Sequence, residues 1–114
     1  AIRAAGMKLG LSTHDGAELE TALAEKPDYV ALGPVWPTIL KKMKWAPQGV
    51  ERLRDWKTRI VPLPLVAIGG LNPDRLAAVF ENGADSAAVV TDITLNAAPE
   101  ARTREWIECT ARWR

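Results

Sequence analysis

The stretch that decides the fold runs from Leu63 to Gly70 and reads LPLVAIGG. The run PLVAIG within it is apolar at nearly every position, whereas a strand with one face in water would alternate apolar and polar residues. Continuous apolar character is typical of a parallel strand that is covered on both faces. We therefore predict a buried parallel strand that ends at a pair of glycines.

Similar runs alternate with segments of helical spacing along the whole chain. The predicted strands are Lys8–Ser12, Tyr29–Gly33, Leu63–Gly69 and Ser86–Thr91. The predicted helices place apolar residues at i, i+3, i+4 and i+7, and they are Ala17–Ala24, Gly49–Ile60, Asp74–Asn82 and Pro99–Arg112. Asn72 is predicted to cap the third helix and Gly83 to end it. We predict a single α/β domain over residues 1–114, with about four βα units, parallel strands and functional residues at the carboxyl ends of the strands.

Composition and charge exclude several classes of function. The 114 residues are 47% hydrophobic and 25% charged, which is typical of a globular domain. A net charge of +1 is too small to steer the chain to nucleic acid or to an anionic membrane. No segment approaches the roughly 20 apolar residues of a membrane span. The single cysteine, Cys109, has no second cysteine for a disulfide or a metal cluster. We expect a cytoplasmic protein.

The longest connection, residues 33–49, reads GPVWPTILKKMKWAPQG. A loop of this length at the carboxyl end of a strand is usually functional or disordered, and its three prolines and two tryptophans argue against disorder. Thr38 offers a hydroxyl group, and Lys41 and Lys42 offer two adjacent cations. The loop can therefore hold a phosphate or a diphosphate; the alternative is a solvated pair of lysines on a loop that the tryptophans anchor.

Two later predicted strands end in residues that could bind a ligand. Gly69 and Gly70 end the third strand, and Val90 and Thr91 end the fourth. Glycine lets a ligand approach the backbone, and backbone N–H groups at the start of a helix bind phosphate without a side-chain charge. Two glycines alone more often form a tight turn; together with the neighbouring strand end, they fit a phosphate site and a tight turn equally well.

The first predicted strand ends in a polar group of residues. Ser12 can bond a substrate oxygen, and the imidazole of His14 can transfer a proton near neutral pH. The alternative is structural: Thr13 or Asp15 caps the helix that begins near Ala17, and His14 only orients the turn.

Five motifs, in this order and spacing, resemble the second half of the thiamine phosphate synthase family. They are GLSTH, DYVALGPVWPT, KK placed five residues before QG, PLVAIGG and GADSAAVVTDI. The resemblance extends over nearly the whole chain, and motifs in register are far more specific than any one alone. It implies the C-terminal half of a TIM (β/α)8 barrel, because a complete barrel typically needs about 250 residues.

The resemblance implies a transferase of thiamine biosynthesis. Enzymes of this family join a hydroxymethylpyrimidine diphosphate to a thiazole phosphate, releasing diphosphate and forming thiamine phosphate. Diphosphate leaves first, and the thiazole nitrogen then attacks a pyrimidine methylene cation, so the charge on the leaving group must be stabilised. Mg²⁺ assists this departure in the complete enzyme, and the family's magnesium-binding aspartates come from earlier strands. The resemblance therefore implies no metal ligand in this chain.

The resemblance also implies residue roles. Lys41 matches a lysine that binds the diphosphate, and Ser12 matches a serine near the pyrimidine diphosphate; these are the candidate catalytic residues. The candidate substrate-binding residues match positions that hold the thiazole phosphate, and they are Thr38, Gly70, Val90 and Thr91. Leu40 stands where the family has a second threonine, which removes a hydroxyl donor.

Two other functions fit the sequence. A related thiazole tautomerase would use His14 for proton transfer, and a non-catalytic half-barrel would only bind phosphate. The chain starts without Met, and its first residues are typical of a helix tail that ends at Gly6, which favours a fragment over a natural N-terminus. Because such a fragment retains only half of the family's active site, we expect it to be inactive or nearly so alone. Four βα units expose two sheet edges and an apolar face. We therefore expect small-molecule substrates, together with self-association or a partner that supplies the N-terminal half.

Overall fold

The computed structural model describes residues 4–36 and 48–113, which form one parallel sheet with its helices. The strands lie in chain order and every neighbouring pair is parallel: β1 (Gly10–Thr13), β2 (Tyr29–Leu32), β3 (Leu65–Ile68) and β4 (Ser86–Ala88). The helices are α1 (Gly16–Ala24), α2 (Val50–Ile60), α3 (Leu76–Glu81), α4 (Thr91–Thr94) and α5 (Pro99–Thr110). This confirms the predicted α/β architecture of four βα units.

The hydrophobic core lies between the sheet and its helices. Because the strand order follows the chain order, right-handed crossovers place the connecting helices on the same face of the sheet. Val30, Leu32 and Leu65 on that face are fully buried, as is Leu53 of α2. None of the helices in the described ranges is long and apolar enough to cross a membrane.

The opposite face of the sheet is only partly covered. Tyr29 and Ile68 retain 41% and 36% of their surface, and Val66 is intermediate. The prediction that the third strand is covered on both faces is therefore wrong for the described residues. The apolar residues of this face suit the interior of a barrel, which is filled by side chains from strands all round it. Four strands do not enclose such an interior.

The fourth predicted strand, Ser86–Thr91, is too long. The structure ends β4 at Ala88, and Thr91 begins α4 instead. The last residue pair of β3 and β4 joins Ile68 to Ala88, and Gly69 then turns the backbone away with a φ of 104°. Beyond Ala88 the strand has no extended neighbour with which to pair.

The third helix lies within one residue of its predicted bounds at each end, but it starts with a 3-10 turn, Pro73–Arg75. The Asn72 side chain accepts a hydrogen bond of 3.1 Å from the backbone N–H of Arg75, so the predicted cap is confirmed. Gly83, with a φ of 103°, follows the helix directly after Asn82. A glycine in this conformation commonly ends a helix.

Candidate functional site

A pocket of about 260 Å³ lies at the carboxyl ends of the strands. Residues that end or follow all four strands line it, namely residues 12–14, 33–34, 68–71 and 88–92. The carboxyl ends of parallel strands meet at one edge of the sheet, so the pocket lies where functional residues are predicted. Ser12, Gly70, Val90 and Thr91 all line it. The remaining candidates, Thr38 and Lys41, lie outside the described residues, as do Leu40 and Lys42.

The end of β1 is fixed by a buried hydroxyl group. Thr13 is fully buried, and its Oγ1 donates to the carbonyl of Ala31 at 2.8 Å and accepts from Nε1 of Trp56 at 2.8 Å. Successive residues of a strand point to opposite faces. Because Thr13 points towards α2, its neighbour Ser12 points to the opposite, partly covered face of the sheet, which we call the open face. Ser12 is accordingly exposed and reaches the pocket.

The turn after β1 is held by several polar contacts around His14. Asp15, rather than Thr13, caps α1, because its Oδ1 accepts from the backbone N–H of Glu18 at 2.8 Å. Glu18 Oε1 lies 2.7 Å from Nδ1 of His14 and accepts the His14 backbone N–H at 2.8 Å. Gln48 Nε2 donates to the His14 carbonyl at 2.7 Å. These contacts fit the structural alternative, in which His14 orients the turn. His14 also lines the pocket.

Backbone hydrogen bonds fix both ends of the long connection between β2 and α2. They join Val35 N to Ile68 O (3.1 Å), Trp36 N to Gly69 O (3.0 Å), Gln48 N to Pro34 O (2.7 Å) and Gly49 N to Val35 O (3.0 Å). The first two tie the start of the connection to the end of β3, and the last two tie its return to its start. The connection that carries Thr38 and Lys41 therefore leaves and returns beside the pocket.

The turn after β3 brings bare backbone to the pocket. Gly69 and Gly70 have φ values of 104° and 69°, in the region that favours glycine. A Cβ atom on Gly69 would lie 2.5 Å from the Cα of Pro34, so a side chain has no room there. Arg75 Nη1 donates to the Gly70 carbonyl, and its guanidinium lies 4.9 Å from the ring centroid of Trp36. Arg75 thus links this turn to the start of the long connection.

The short helix α4, which follows β4, carries an ion pair that no sequence pattern predicted. Asp92 lines the pocket, and its carboxylate accepts from Arg102 Nε at 2.8 Å, from Arg102 Nη2 at 3.0 Å and from Trp106 Nε1 at 2.7 Å. The hydrogen bond from Arg102 holds the pKa of Asp92 below its ordinary value, against an opposing effect of burial. The carboxylate is therefore ionised at neutral pH.

Among the described residues no cluster of potential metal ligands is found. Within residues 4–36 and 48–113, no group of three or more His, Cys, Asp and Glu side chains is arranged to hold a metal ion. The Asp92 carboxylate already accepts three hydrogen bonds from two side chains of α5. The residues that line the pocket include two glycines after β3 and the hydroxyl-bearing Ser12 and Thr91.

Comparisons with known proteins agree with the resemblance. A family model described as thiamine monophosphate synthase matches residues 1–93. The thiamine-phosphate synthase of Rhizobium etli is 75% identical over 114 residues, which are 100% of this chain and 56% of that protein. The thiamine-phosphate synthase of Salmonella typhimurium is 48% identical over 111 residues, or 97% of this chain and 49% of that protein. The chain thus spans about half the length of the curated relatives it matches.

The chain also resembles solved structures, and it again covers about half of their length. The thiamine phosphate pyrophosphorylase from Pyrococcus furiosus superposes with a TM-score of 0.83 at 27% identity, covering 97% of this chain and 52% of that one. A 3-hexulose-6-phosphate synthase, at 17% identity and a TM-score of 0.71, shares the fold alone. The prediction of a partial TIM barrel related to thiamine phosphate synthase is confirmed. Because the family model matches most of its length, the chain belongs to the thiamine monophosphate synthase family.

Proposed function

We propose that the chain supplies the thiazole-phosphate side of a thiamine phosphate synthase active site, as the C-terminal half of a (β/α)8 barrel. One observation carries the proposal: Ser12, Gly70, Val90 and Thr91 line a single pocket at the carboxyl ends of the strands. The reaction joins a hydroxymethylpyrimidine diphosphate to a thiazole phosphate and releases diphosphate. Family membership supports this choice of reaction, and the pocket supports the choice of residues.

The thiazole phosphate would bind at the ends of β3 and β4. In complete TIM barrels a phosphate site commonly follows strands seven and eight, which are β3 and β4 if this chain forms the second half. Gly70 has positive φ and no side chain to block an approaching oxygen. The backbone N–H groups of Gly70, Val90 and Thr91 are the proposed donors, and Thr91 adds a hydroxyl group. Such donors bind phosphate without a nearby cation.

The diphosphate of the other substrate would bind on the side of β1 and the long connection. Ser12 lies at the end of β1 on the open face of the sheet, and we assign it a contact with the pyrimidine diphosphate. We assign Lys41 the stabilisation of the leaving diphosphate, because a cation lowers the cost of the negative charge that develops there. Mg²⁺ would be held by residues of the other barrel half, and we assign no metal ligand to this chain.

The chain is expected to need a second half for catalysis. Within the part of the chain that the structure describes, the sheet ends in two edge strands, β1 and β4, and unpaired strand edges readily pair with further strands. Its open face also leaves Tyr29 and Ile68 partly exposed. We therefore propose that a complementary half-barrel, or a second copy of the chain, covers these surfaces. Without the complementary half, turnover should be absent or nearly so.

A titration of the isotope-labelled chain with the thiazole phosphate tests the proposed site. The backbone amide resonances of Gly70, Val90 and Thr91 should shift and reach saturation together, because these groups would donate to the phosphate. The amide of Tyr29, at the amino end of β2, should not move. Saturable shifts confined to the amino ends of the strands, or no shift at all, would contradict the proposal.

A thiazole tautomerase is the second candidate, favoured by the contact between His14 and Glu18. A carboxylate 2.7 Å from Nδ1 orients an imidazole and supports proton transfer. An isomerisation assay of the chain and of its His14→Ala variant separates the two functions. The synthase assignment predicts no isomerisation in either protein. Isomerisation that disappears in His14→Ala would instead establish the tautomerase.

A further inference from the structure

A carboxylate on the wall of a phosphate-binding pocket creates an electrostatic problem. Asp92 lines the pocket directly after Thr91, one of the proposed phosphate-binding residues. Its side chain is 18% exposed, so its charge is partly shielded from water. A phosphate ion in the pocket would share it with a group of like charge, and like charges repel each other.

The structure contains a counter-charge for this carboxylate. Arg102 donates to both oxygens of Asp92, at 2.8 and 3.0 Å, in the two-pronged geometry that gives strong ion pairs. Trp106, one turn further along α5, donates to Oδ2 at 2.7 Å. Both oxygens are thus bonded to groups on α5. The Arg102 side chain is itself only 24% exposed, so the pair is partly shielded from solvent.

We propose that Arg102 is a positioning residue for anion binding, which neutralises Asp92 and holds its carboxylate oxygens against α5 so that a phosphate can occupy the pocket. The inference rests on the proposed phosphate site and adds a residue to which no role is assigned above. Arg102 acts through Asp92 and does not itself line the pocket. A second contact, from Arg102 Nη1 to Glu105 at 3.0 Å, lies on the more exposed side of α5.

Arg102 could neutralise the charge of Asp92 or could simply link α4 to α5, and these two roles have different consequences. If the important property is charge, removing Arg102 should harm binding only while Asp92 remains charged. If the important property is the mechanical link, removing both partners should harm binding as much as removing one. A double variant therefore separates the two roles.

The test titrates inorganic phosphate into the chain and reads the dissociation constant from the amide shifts of Val90 and Thr91. Arg102→Ala should weaken binding about five- to tenfold, the order expected for one uncompensated charge in a partly screened site. Asp92→Asn combined with Arg102→Ala should return the affinity to within about twofold of the original chain. The loss in Arg102→Ala should also shrink as salt is added.

Arg104→Ala is the matched control. Arg104 is exposed on the same helix, and its loss removes the same charge without touching Asp92, so binding should change less than about twofold. Asp92→Asn alone covers the case in which Arg102→Ala does not fold, and it should bind phosphate at least as tightly as the original chain.

Four results would overturn the inference, in three different ways. Unchanged affinity in Arg102→Ala, or weaker binding in Asp92→Asn, would overturn the role of Arg102 while leaving the phosphate site intact. A double variant as weak as Arg102→Ala would replace charge neutralisation by a mechanical link. Failure of the original chain to bind phosphate would remove the proposed site itself, and the inference with it.

Discussion

Replacing Gly69 by alanine is expected to lower the free energy of unfolding by about 3 kcal/mol and to abolish phosphate binding. The backbone of Gly69 has a φ of 104°, which side chains rarely adopt. The new Cβ would also lie 2.5 Å from the Cα of Pro34, a backbone atom that cannot rotate away. The turn after β3 would have to move, and the neighbouring Gly70 would move with it.

Gly6→Ala is the matched control for this substitution. Gly6 also has positive φ, at 80°, but a Cβ atom there would meet nothing within 4 Å. Its cost should be conformational only, about 1 kcal/mol. Urea denaturation of both variants, followed by circular dichroism, measures the difference. Equal stabilities would mean that the contact between Gly69 and Pro34 does not constrain the pocket.

Replacing Lys41 by alanine is expected to reduce the turnover number of a completed barrel about 100- to 1000-fold, the usual loss when a group that stabilises developing charge is removed. Such a barrel joins this chain to the part of the Rhizobium etli relative that the chain does not match. The diphosphate leaves as an anion, and Lys41 is the cation that we propose stabilises it. The measurement is the rate at which thiamine phosphate forms.

Lys42→Ala provides the control for Lys41→Ala. It removes the same charge from the adjacent residue, so a general electrostatic effect would appear equally in both variants. The assignment predicts less than about a threefold loss for Lys42→Ala, which is typical of a solvated charge in salt. Similar losses in the two variants would show that the pair acts as an undifferentiated positive patch.

The sequence predicted four parallel strands, with functional residues at their carboxyl ends, because short-range patterns carry that information. The apolar run of β3 and the glycines after it are contiguous, and the parallel topology brings every strand end to one edge. The ion pair of Asp92 and Arg102 had no such signal. Its members are separated by ten residues, and an arginine on a helix resembles a solvated charge until the fold turns α5 back onto α4.

The sequence predicted that both faces of β3 are covered, but the four described strands do not cover its second face. Val66 and Ile68 are apolar, yet in the described residues they remain partly exposed. Their character suits a complete barrel, where strands across the interior would cover them. The end of β4 was mispredicted because Val89 and Val90 favour strand by propensity, whereas pairing stops where β3 ends.

The most direct test of the central claim is the formation of thiamine phosphate by the completed barrel, supplied with both substrates and Mg²⁺. We predict turnover by the completed barrel and none by this chain alone, because the chain is proposed to hold only the thiazole-phosphate side of the active site. A folded completed barrel that binds the thiazole phosphate but forms no thiamine phosphate would contradict the claim and would favour a non-catalytic phosphate-binding half-barrel.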